Sequence, residues 1–248
     1  FVNYQLGKDA TPAKPVELNL KPAFLFGVRP CDVRSFTIMD THFYAVGIID
    51  PYWKARRDAT TIIGYAFDLS KPADPADFYN TLGIGAADPE GSDIFMVKKD
   101  KELLLKGITP QGEALLNGLT MLAAGNAADE KYFTEYVKKG KEPRTRMMCL
   151  DDKTIAKKYE QIFENTEYWT RMADGCLSCG ICTFVCPTCY CFDICDVDIF
   201  RQGARRRIWD ACMFTDFTLE ASGHNPRTKV YQRLRQKVCH KYSFSVRK

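Results

Sequence analysis

Four closely spaced cysteines stand out in the stretch CLSCGICTFVCP, residues 176–187. They are Cys176, Cys179, Cys182 and Cys186, and their spacing is C-x2-C-x2-C-x3-C with a proline directly after. This spacing is typical of the bacterial run that binds [4Fe-4S] clusters, where the fourth cysteine binds a different cluster from the first three. A cysteine run of this kind normally occurs together with a second run of the same spacing, which supplies the remaining ligands. We therefore predict an iron–sulfur site at this stretch.

Zinc is the main alternative metal. Structural zinc sites usually combine two CxxC pairs that are about 12–20 residues apart. Here only six residues separate the pairs 176–179 and 186–189, and Cys182 lies between them. The spacing therefore favours [4Fe-4S], and a zinc-stapled interaction module remains the alternative.

Further cysteines follow the run. Cys189 and Cys191 are interpreted as additional ligands, as a redox-active pair or as small buried residues, and the sequence leaves this choice open. Cys195 is interpreted as a packing residue. Cys212 and Cys239 are interpreted as core cysteines, although Cys239 lies on a predicted helix that could approach a cluster, which makes it a further candidate ligand.

Composition limits the class of protein. The chain has 248 residues, 11 cysteines and a formal net charge of +4, which is too small to indicate nucleic-acid or membrane binding. No apolar run approaches the roughly 20 residues of a spanning helix, and the first residues lack the pattern of a secretory signal. Clustered cysteines without a secretion signal indicate metal ligation in a reducing cytoplasm.

The N-terminal part has the pattern of an α/β or α+β domain. The apolar runs 22–28 and 60–67 predict buried strands, and 93–107 predicts a hairpin. Thr109 and Pro110 predict the N-cap and first residue of a helix that continues to Gly125, and a further helix is predicted over 128–139.

The C-terminal part is predicted to be helical apart from the cysteine run. Asp151 or Asp152 is expected to cap one helix, and Asn225 with Pro226 is expected to begin another that ends near residue 242. We place a domain boundary near 148. The predicted architecture is therefore an α+β or α/β domain over 1–148 and an all-α domain over 149–248.

The stretch CLSCGICTFVCPTCYCFDI, together with FGVRPCD at 26–32 and RIWDACMFTDFTLEASGHNPR later in the chain, carries a family resemblance. The chain resembles the iron–sulfur beta subunits of cytoplasmic NiFe hydrogenases and sulfhydrogenases. It is also similar to the iron–sulfur subunit of anaerobic sulfite reductase and to the flavin oxidoreductase subunits that accompany heterodisulfide reductases. The resemblance covers most of the chain.

The resemblance implies two [4Fe-4S] clusters in a helical-ferredoxin domain. Cys176, Cys179 and Cys182 would bind the first cluster, and Cys186 would bind the second. The fourth ligand of the first cluster would come from a second motif that is expected beyond Lys248, and we expect residues to be missing at both ends of the sequence. If the chain did end there, the substitute fourth ligand would be one of two cysteines already named, at 191 and 239.

The resemblance also implies a role and partners. The expected role is a non-catalytic, electron-transfer subunit in a cytoplasmic complex. It would connect a flavin- and NAD(P)H-linked subunit, which would hold FAD and NAD(P), to a catalytic subunit of hydrogenase, sulfite reductase or heterodisulfide reductase type.

Two smaller features have open interpretations. Cys31 follows a predicted strand and is flanked by Arg29 and Asp32, which indicates either a surface for a partner or cofactor or an Arg–Asp pair that braces a turn. The basic cluster of Arg201 and Arg205–Arg207 is interpreted as a solvated helix face or a docking surface for an acidic partner. It also supports the alternative of an iron–sulfur nucleic-acid-processing protein.

Three acidic residues close to the cysteine run are interpreted as helix-start acids. They are Asp193, Asp196 and Asp198.

Overall fold

The computed structural model describes residues 2–5, 14–15, 18–45, 47–145, 151–199 and 202–247. The strands are β1 Val2–Gln5, β2 Lys14–Pro15, β3 Ala23–Val28, β4 Thr60–Tyr65, β5 Ile94–Lys99, β6 Glu102–Gly107, β7 Phe192–Ile199 and β8 Gln202–Trp209. The α-helices are α1 Pro30–Phe43, α2 Pro51–Asp58, α3 Pro110–Asn117, α4 Ala127–Lys139, α5 Asp152–Gln161, α6 Thr166–Met172, α7 Ile181–Phe184 and α8 Val230–Tyr242. The predicted boundary at 148 and the predicted basic residue Arg201 lie outside the described residues.

The chain divides into two compact units. We call Leu18–Cys149 the sheet unit, and we call Phe1–Glu17 together with Leu150–Lys248 the cysteine unit. The N-terminal segment 1–17, which was expected in the first domain, is grouped with the cysteine unit. The mixed α and β content expected for the N-terminal part is confirmed by the sheet unit.

A four-stranded sheet in the order β3-β4-β5-β6 is the centre of the sheet unit. β3, β4 and β5 are parallel, and β6 returns antiparallel to β5 through a turn at Asp100, whose φ is 53°. The predicted hairpin is therefore confirmed. Phe95 and Val97 of β5 pack against Phe133 of α4, which closes one face of the sheet.

The strand β3 differs from its prediction. The sequence predicts a buried strand, but β3 lies at the edge of the sheet, and Phe24 and Phe26 are more than half exposed. A short apolar run does not distinguish a central strand from an edge strand, because burial depends on neighbours that lie far away in sequence.

The helix starts of the sheet unit follow from local capping. The Thr109 hydroxyl accepts a hydrogen bond of 3.2 Å from the Gly112 backbone N–H, which confirms the predicted start of α3. The helix ends at Asn117, earlier than predicted, because a glycine follows and glycine is a poor helix former. Asn126 and Asp129 then form a capping box that begins α4.

Helices α5, α6 and α8 form the core of the cysteine unit. Trp169 of α6 is fully buried, and its indole N–H donates to the Ile162 carbonyl over 2.9 Å. The buried Ser243 hydroxyl donates to the Ala156 carbonyl over 3.2 Å and joins the end of α8 to α5. Asp151 caps α5, as predicted.

The segment after the cysteine run is a β-hairpin and not a helix. β7 and β8 are antiparallel and belong to a sheet in the order β2-β1-β8-β7, so the expected all-helical character is not confirmed here. Asp196 lies opposite Arg205 across the hairpin and accepts two hydrogen bonds of 2.9 Å from its guanidinium. Asp193, Asp196 and Asp198 therefore lie along a strand, and their prediction as helix-start acids is wrong. Cross-strand pairing outweighs the weak local preference for helix.

The last helix also begins later than predicted. Asn225 does not cap it, because its side-chain oxygen accepts hydrogen bonds from the Arg227 backbone N–H and the Thr218 hydroxyl, at 3.0 and 2.8 Å. The amide therefore stabilises a turn. Lys229 precedes α8, and its backbone N–H donates to the Gln232 side chain over 2.8 Å.

Over the parts of the chain that the structure describes, every helix is too short or too polar to cross a membrane.

Candidate metal centre

The cysteine run begins in a tight loop after α6 and continues through α7, which contains Cys182 and ends before Cys186. The Cys176 backbone N–H donates to the Ala173 carbonyl over 2.9 Å, which continues the chain directly from α6. Ser178 and Gly180 have positive φ angles of 54° and 76°. A Cβ on Gly180 would lie 2.7 Å from the Phe214 ring, so this position needs glycine both for its backbone angle and for space.

The predicted ligands differ in exposure. Cys179 and Cys182 are exposed, and Cys176 and Cys186 are half-buried. Large apolar side chains surround them at the surface, and the most exposed are Leu177 at 89%, Val185 at 71%, Ile181 at 61% and Phe184 at 56%. The loop therefore presents its thiols within an apolar surface.

Helix α8 carries three cations that face the run. Arg233, Lys237 and Lys241 are spaced four residues apart, so they lie on one side of the helix, and we call them the cationic stripe. Each donates a hydrogen bond to a residue between 178 and 189. The stripe therefore runs alongside the cysteine run.

Arg233 anchors the loop to the helix. Its side chain is nearly fully buried, at 3% exposed, and its guanidinium donates to three backbone carbonyls over 2.9–3.0 Å. These carbonyls belong to Met213, Arg227 and Thr228. A fourth hydrogen bond of 3.0 Å reaches the Ser178 hydroxyl. All four acceptors are neutral, so the guanidinium keeps its full positive charge beside the loop.

Lys237 lies among the thiols. Its ammonium is 3.1 Å from the Thr183 hydroxyl and 3.6 Å from the Cys189 sulfur. Burial opposes its charge, but attraction to four surrounding sulfurs outweighs burial and raises the pKa of Lys237. These sulfurs belong to Cys189, Cys182, Cys212 and Cys186.

Lys241 binds Thr188, one of the two residues between Cys186 and Cys189. Its ammonium donates to the Thr188 carbonyl over 2.7 Å and to the Thr188 hydroxyl over 3.0 Å. The Thr188 hydroxyl in turn lies 3.4 Å from the Cys186 sulfur.

Two pairs of cysteine side chains lie close enough for each thiol to shift the pKa of the other. The contact with Cys189 lowers the pKa of the Cys186 thiol to about 4, and the same contact with burial raises the pKa of Cys189. The contact with Cys191 lowers the pKa of Cys212 to about 6, and the pKa of Cys191 is raised by the same contact and by burial.

The hairpin explains how Cys191 and Cys212 meet. The Asp210 backbone N–H donates to the Cys191 carbonyl over 3.0 Å, which closes the base of β7 and β8. Cys212 was expected to be a core cysteine, but it is only half-buried and lies close to Cys191. The sequence contained a signal for this position. Apolar and polar residues largely alternate over 192–199, which is typical of a strand, and a returning strand would bring Cys212 back towards the cysteine run.

Cys239 lies on α8 but is fully buried, and burial raises the pKa of its thiol. Cys195 is a half-buried residue of β7. The buried residues of α8 are Arg233 and Cys239. The four-residue spacing of the cationic stripe was visible in the sequence and was missed.

Cys31 belongs to the sheet unit and packs against Tyr79, Ile84 and Ala86. Burial, and then the nearby Asp32 carboxylate, raises the pKa of its thiol. The Arg29 guanidinium donates to two backbone carbonyls at the end of β4, at 3.4 and 2.7 Å. Arg29 therefore joins the ends of β3 and β4 through these backbone contacts.

The basic residues 205–207 lie on the strand β8 and not on the expected helix face, and one of them pairs with an acidic residue. Arg205 is paired with Asp196, and the Arg207 guanidinium lies 5.1 Å from the centre of the Phe192 ring. Arg206 and Arg207 lie opposite Cys195 and Ile194 across the hairpin, so Arg205 is the member of this described group that faces a carboxylate.

The donors fit an iron–sulfur group by their chemistry. The run offers thiolate ligands, which iron–sulfur clusters prefer, and the neighbouring cations compensate negative charge. Among the described side chains, no three His, Cys, Asp or Glu residues are already close enough to hold a metal ion. Convergence of the thiols would therefore accompany binding.

One comparison with known protein families matches the C-terminal part of the chain. Residues 175–248 match the family model described as a 4Fe-4S dicluster domain. The cysteine run therefore lies in a part of the chain that is similar to 4Fe-4S dicluster domains.

A second comparison finds a similar protein whose function is described. The chain is 31% identical over 221 residues to the sulfhydrogenase 2 subunit beta of Pyrococcus furiosus, and the match covers 88% of this chain and 64% of the relative. The resemblance to the iron–sulfur beta subunits of hydrogenases is thereby confirmed. No solved structure gives a significant match.

Proposed function

We propose that this protein is an electron-transfer subunit of an oxidoreductase complex. It would relay electrons through [4Fe-4S] clusters between a flavin- and NAD(P)H-linked subunit and a catalytic redox subunit. The observation that carries the proposal is the cysteine run at 176–186 inside the matched dicluster domain. The relative is itself named as a subunit, which supports assembly with other chains.

The ligands follow from the run. Cys176, Cys179 and Cys182 would hold one [4Fe-4S] cluster, and Cys186 would contribute to a second. When bound, such a group supplies one-electron exchange in which no covalent bond of a substrate is made or broken. The clusters would lie in the predicted iron–sulfur domain over 149–248. The predicted α/β domain over 1–148 would contain none of these ligands.

Residues of this chain would control how closely an electron partner can approach the clusters and how much positive charge lies beside them. Exposed Cys179 and Cys182 place the site at the surface, where an electron partner can approach closely. Exposed Leu177 and Val185 would give the same surface an apolar area that a partner subunit could cover. Arg233 holds the loop on α8 and adds positive charge beside it.

The partners are proposed from the resemblance and the relative. FAD and NAD(P) would lie on the flavin subunit, and the complex would be cytoplasmic. The name of the relative favours a hydrogenase of the sulfhydrogenase kind as the catalytic partner. Sulfite reductase and heterodisulfide reductase partners are the alternatives that the family resemblance allows.

The test is anaerobic purification of the native complex with identification of its subunits and metals. We expect iron and acid-labile sulfide, a co-purifying flavoprotein, and visible absorption that bleaches with the one-electron reductant dithionite. Zinc without iron would contradict the proposal and favour the zinc-stapled module. Iron together with salt-dependent nucleic-acid binding and no redox partner would favour the nucleic-acid alternative.

A further inference from the structure

We propose that Lys237 sets the reduction potential of the iron–sulfur group held by the cysteine run, by fixing a positive charge beside the thiolates. This inference rests on the proposed function, because it needs a cluster at the run. It assigns a specific role to a side chain that is not itself a ligand.

The position of the ammonium is the first argument. Lys237 donates to the Cys189 sulfur over 3.6 Å and to the Thr183 hydroxyl over 3.1 Å, and Thr183 is the residue next to Cys182. Within the described part of the chain, no carboxylate forms an ion pair with Lys237. Its charge is therefore directed at sulfur.

The environment is the second argument. Lys237 is partly buried, so water and salt screen its charge less than they screen a surface lysine. An electron added to a thiolate-bound cluster adds negative charge, which a nearby cation stabilises. Net charge and hydrogen bonds to sulfur are among the established determinants of cluster potential. Lys237 supplies the charge, and its hydrogen bond to sulfur goes to Cys189, close to the proposed ligand Cys186 in the sequence.

The rest of the cationic stripe has different roles. Arg233 directs three of its hydrogen bonds to backbone carbonyls and therefore acts mainly as an anchor. Lys241 bonds to Thr188 and not directly to a sulfur. Lys237 is the member of the stripe that donates to a cysteine sulfur.

The experiment is a redox titration of the full-length protein, in its native complex, followed by electron paramagnetic resonance. Lys237→Gln and Lys237→Met remove the charge, and Lys237→Arg keeps it. The Gln variant can still donate to the Thr183 hydroxyl, so it preserves the local packing if the Met variant does not fold. Lys157→Gln removes an exposed positive charge from the same unit and is the matched control.

We expect the Gln and Met variants to bind iron at the wild-type level and to shift the potential of a cluster to a more negative value. The Arg variant and the Lys157→Gln control should keep a potential close to that of the wild type. An unchanged potential in an iron-loaded Lys237→Gln variant would overturn the inference and leave the proposed function intact. A wild-type protein without iron would instead overturn both.

Discussion

The guanidinium of Arg233 and the hydroxyl of Ser178 lie 3.0 Å apart, which connects the interior of α8 to the centre of the cysteine run. Ser178 has a left-handed backbone angle, and the hydrogen bond holds the loop in that conformation. A charged group that is almost fully buried therefore determines the shape of the loop that carries the predicted ligands.

Replacement of Arg233 by Met should destabilise the cysteine unit. The change leaves three backbone carbonyls without their donor, and the cost is largest at the buried Met213, because an unsatisfied buried acceptor typically costs about 1–3 kcal/mol. Thermal or denaturant unfolding measures the effect. Arg206→Gln is the control, because Arg206 is exposed on β8. Equal stability of the two variants would mean that the Arg233 contacts do not hold the loop.

Replacement of Gly180 by Ala should impair the loop directly. The left-handed angle costs an alanine about 1–2 kcal/mol, and its Cβ would also collide with the Phe214 ring. We expect less iron per protein after reconstitution and a lower unfolding temperature. Gly175→Ala is the matched control in the same loop, because a Cβ there meets no atom within 4 Å. A Gly180→Ala protein with normal iron content would show that the loop tolerates another backbone angle.

Replacement of Asp129 by Asn should weaken the sheet unit in a pH-dependent way. The hydrogen bond from Lys99 at 2.7 Å, and then the backbone N–H of Asn126, lower the pKa of Asp129. The contribution of the carboxylate is therefore fully present above its unfolded pKa of about 3.9 and is lost as the pH falls through the lower folded value.

The Asp129→Asn protein should accordingly unfold at a lower temperature than the wild type at pH 7, and the difference should shrink as the pH falls below about 4. Glu135→Gln on the exposed side of α4 is the control. A difference that stays constant with pH would show that the charge of Asp129 is not responsible.

Local signals in the sequence were sufficient to predict much of the secondary structure of the sheet unit. Thr109 and Asn126 are strong N-caps, and the alternation over 93–107 is interrupted by a polar turn, so the structure there follows from neighbouring residues. The edge position of β3 did not follow, because burial of Phe24 depends on which strands pair with it across the sheet.

The cysteine run was predicted from spacing alone, but its surroundings were not. Cys212 approaches Cys191 only because β7 and β8 pair, and that pairing depends on cross-strand contacts such as Asp196 with Arg205. Lys237 reaches the run only because α8 packs beside it. Contacts of this kind lie far apart in sequence, so residue spacing does not reveal them.

The most direct test of the account is the iron content and the reduced electron paramagnetic resonance spectrum of Cys182→Ser beside Cys195→Ser. Cys182 is a predicted ligand, and Cys195 is a half-buried cysteine of β7 without that role. We expect Cys182→Ser to lose the iron and the signal of one cluster, and Cys195→Ser to match the wild type. An unchanged iron content and spectrum in Cys182→Ser would contradict the assignment of the run as the cluster-binding site.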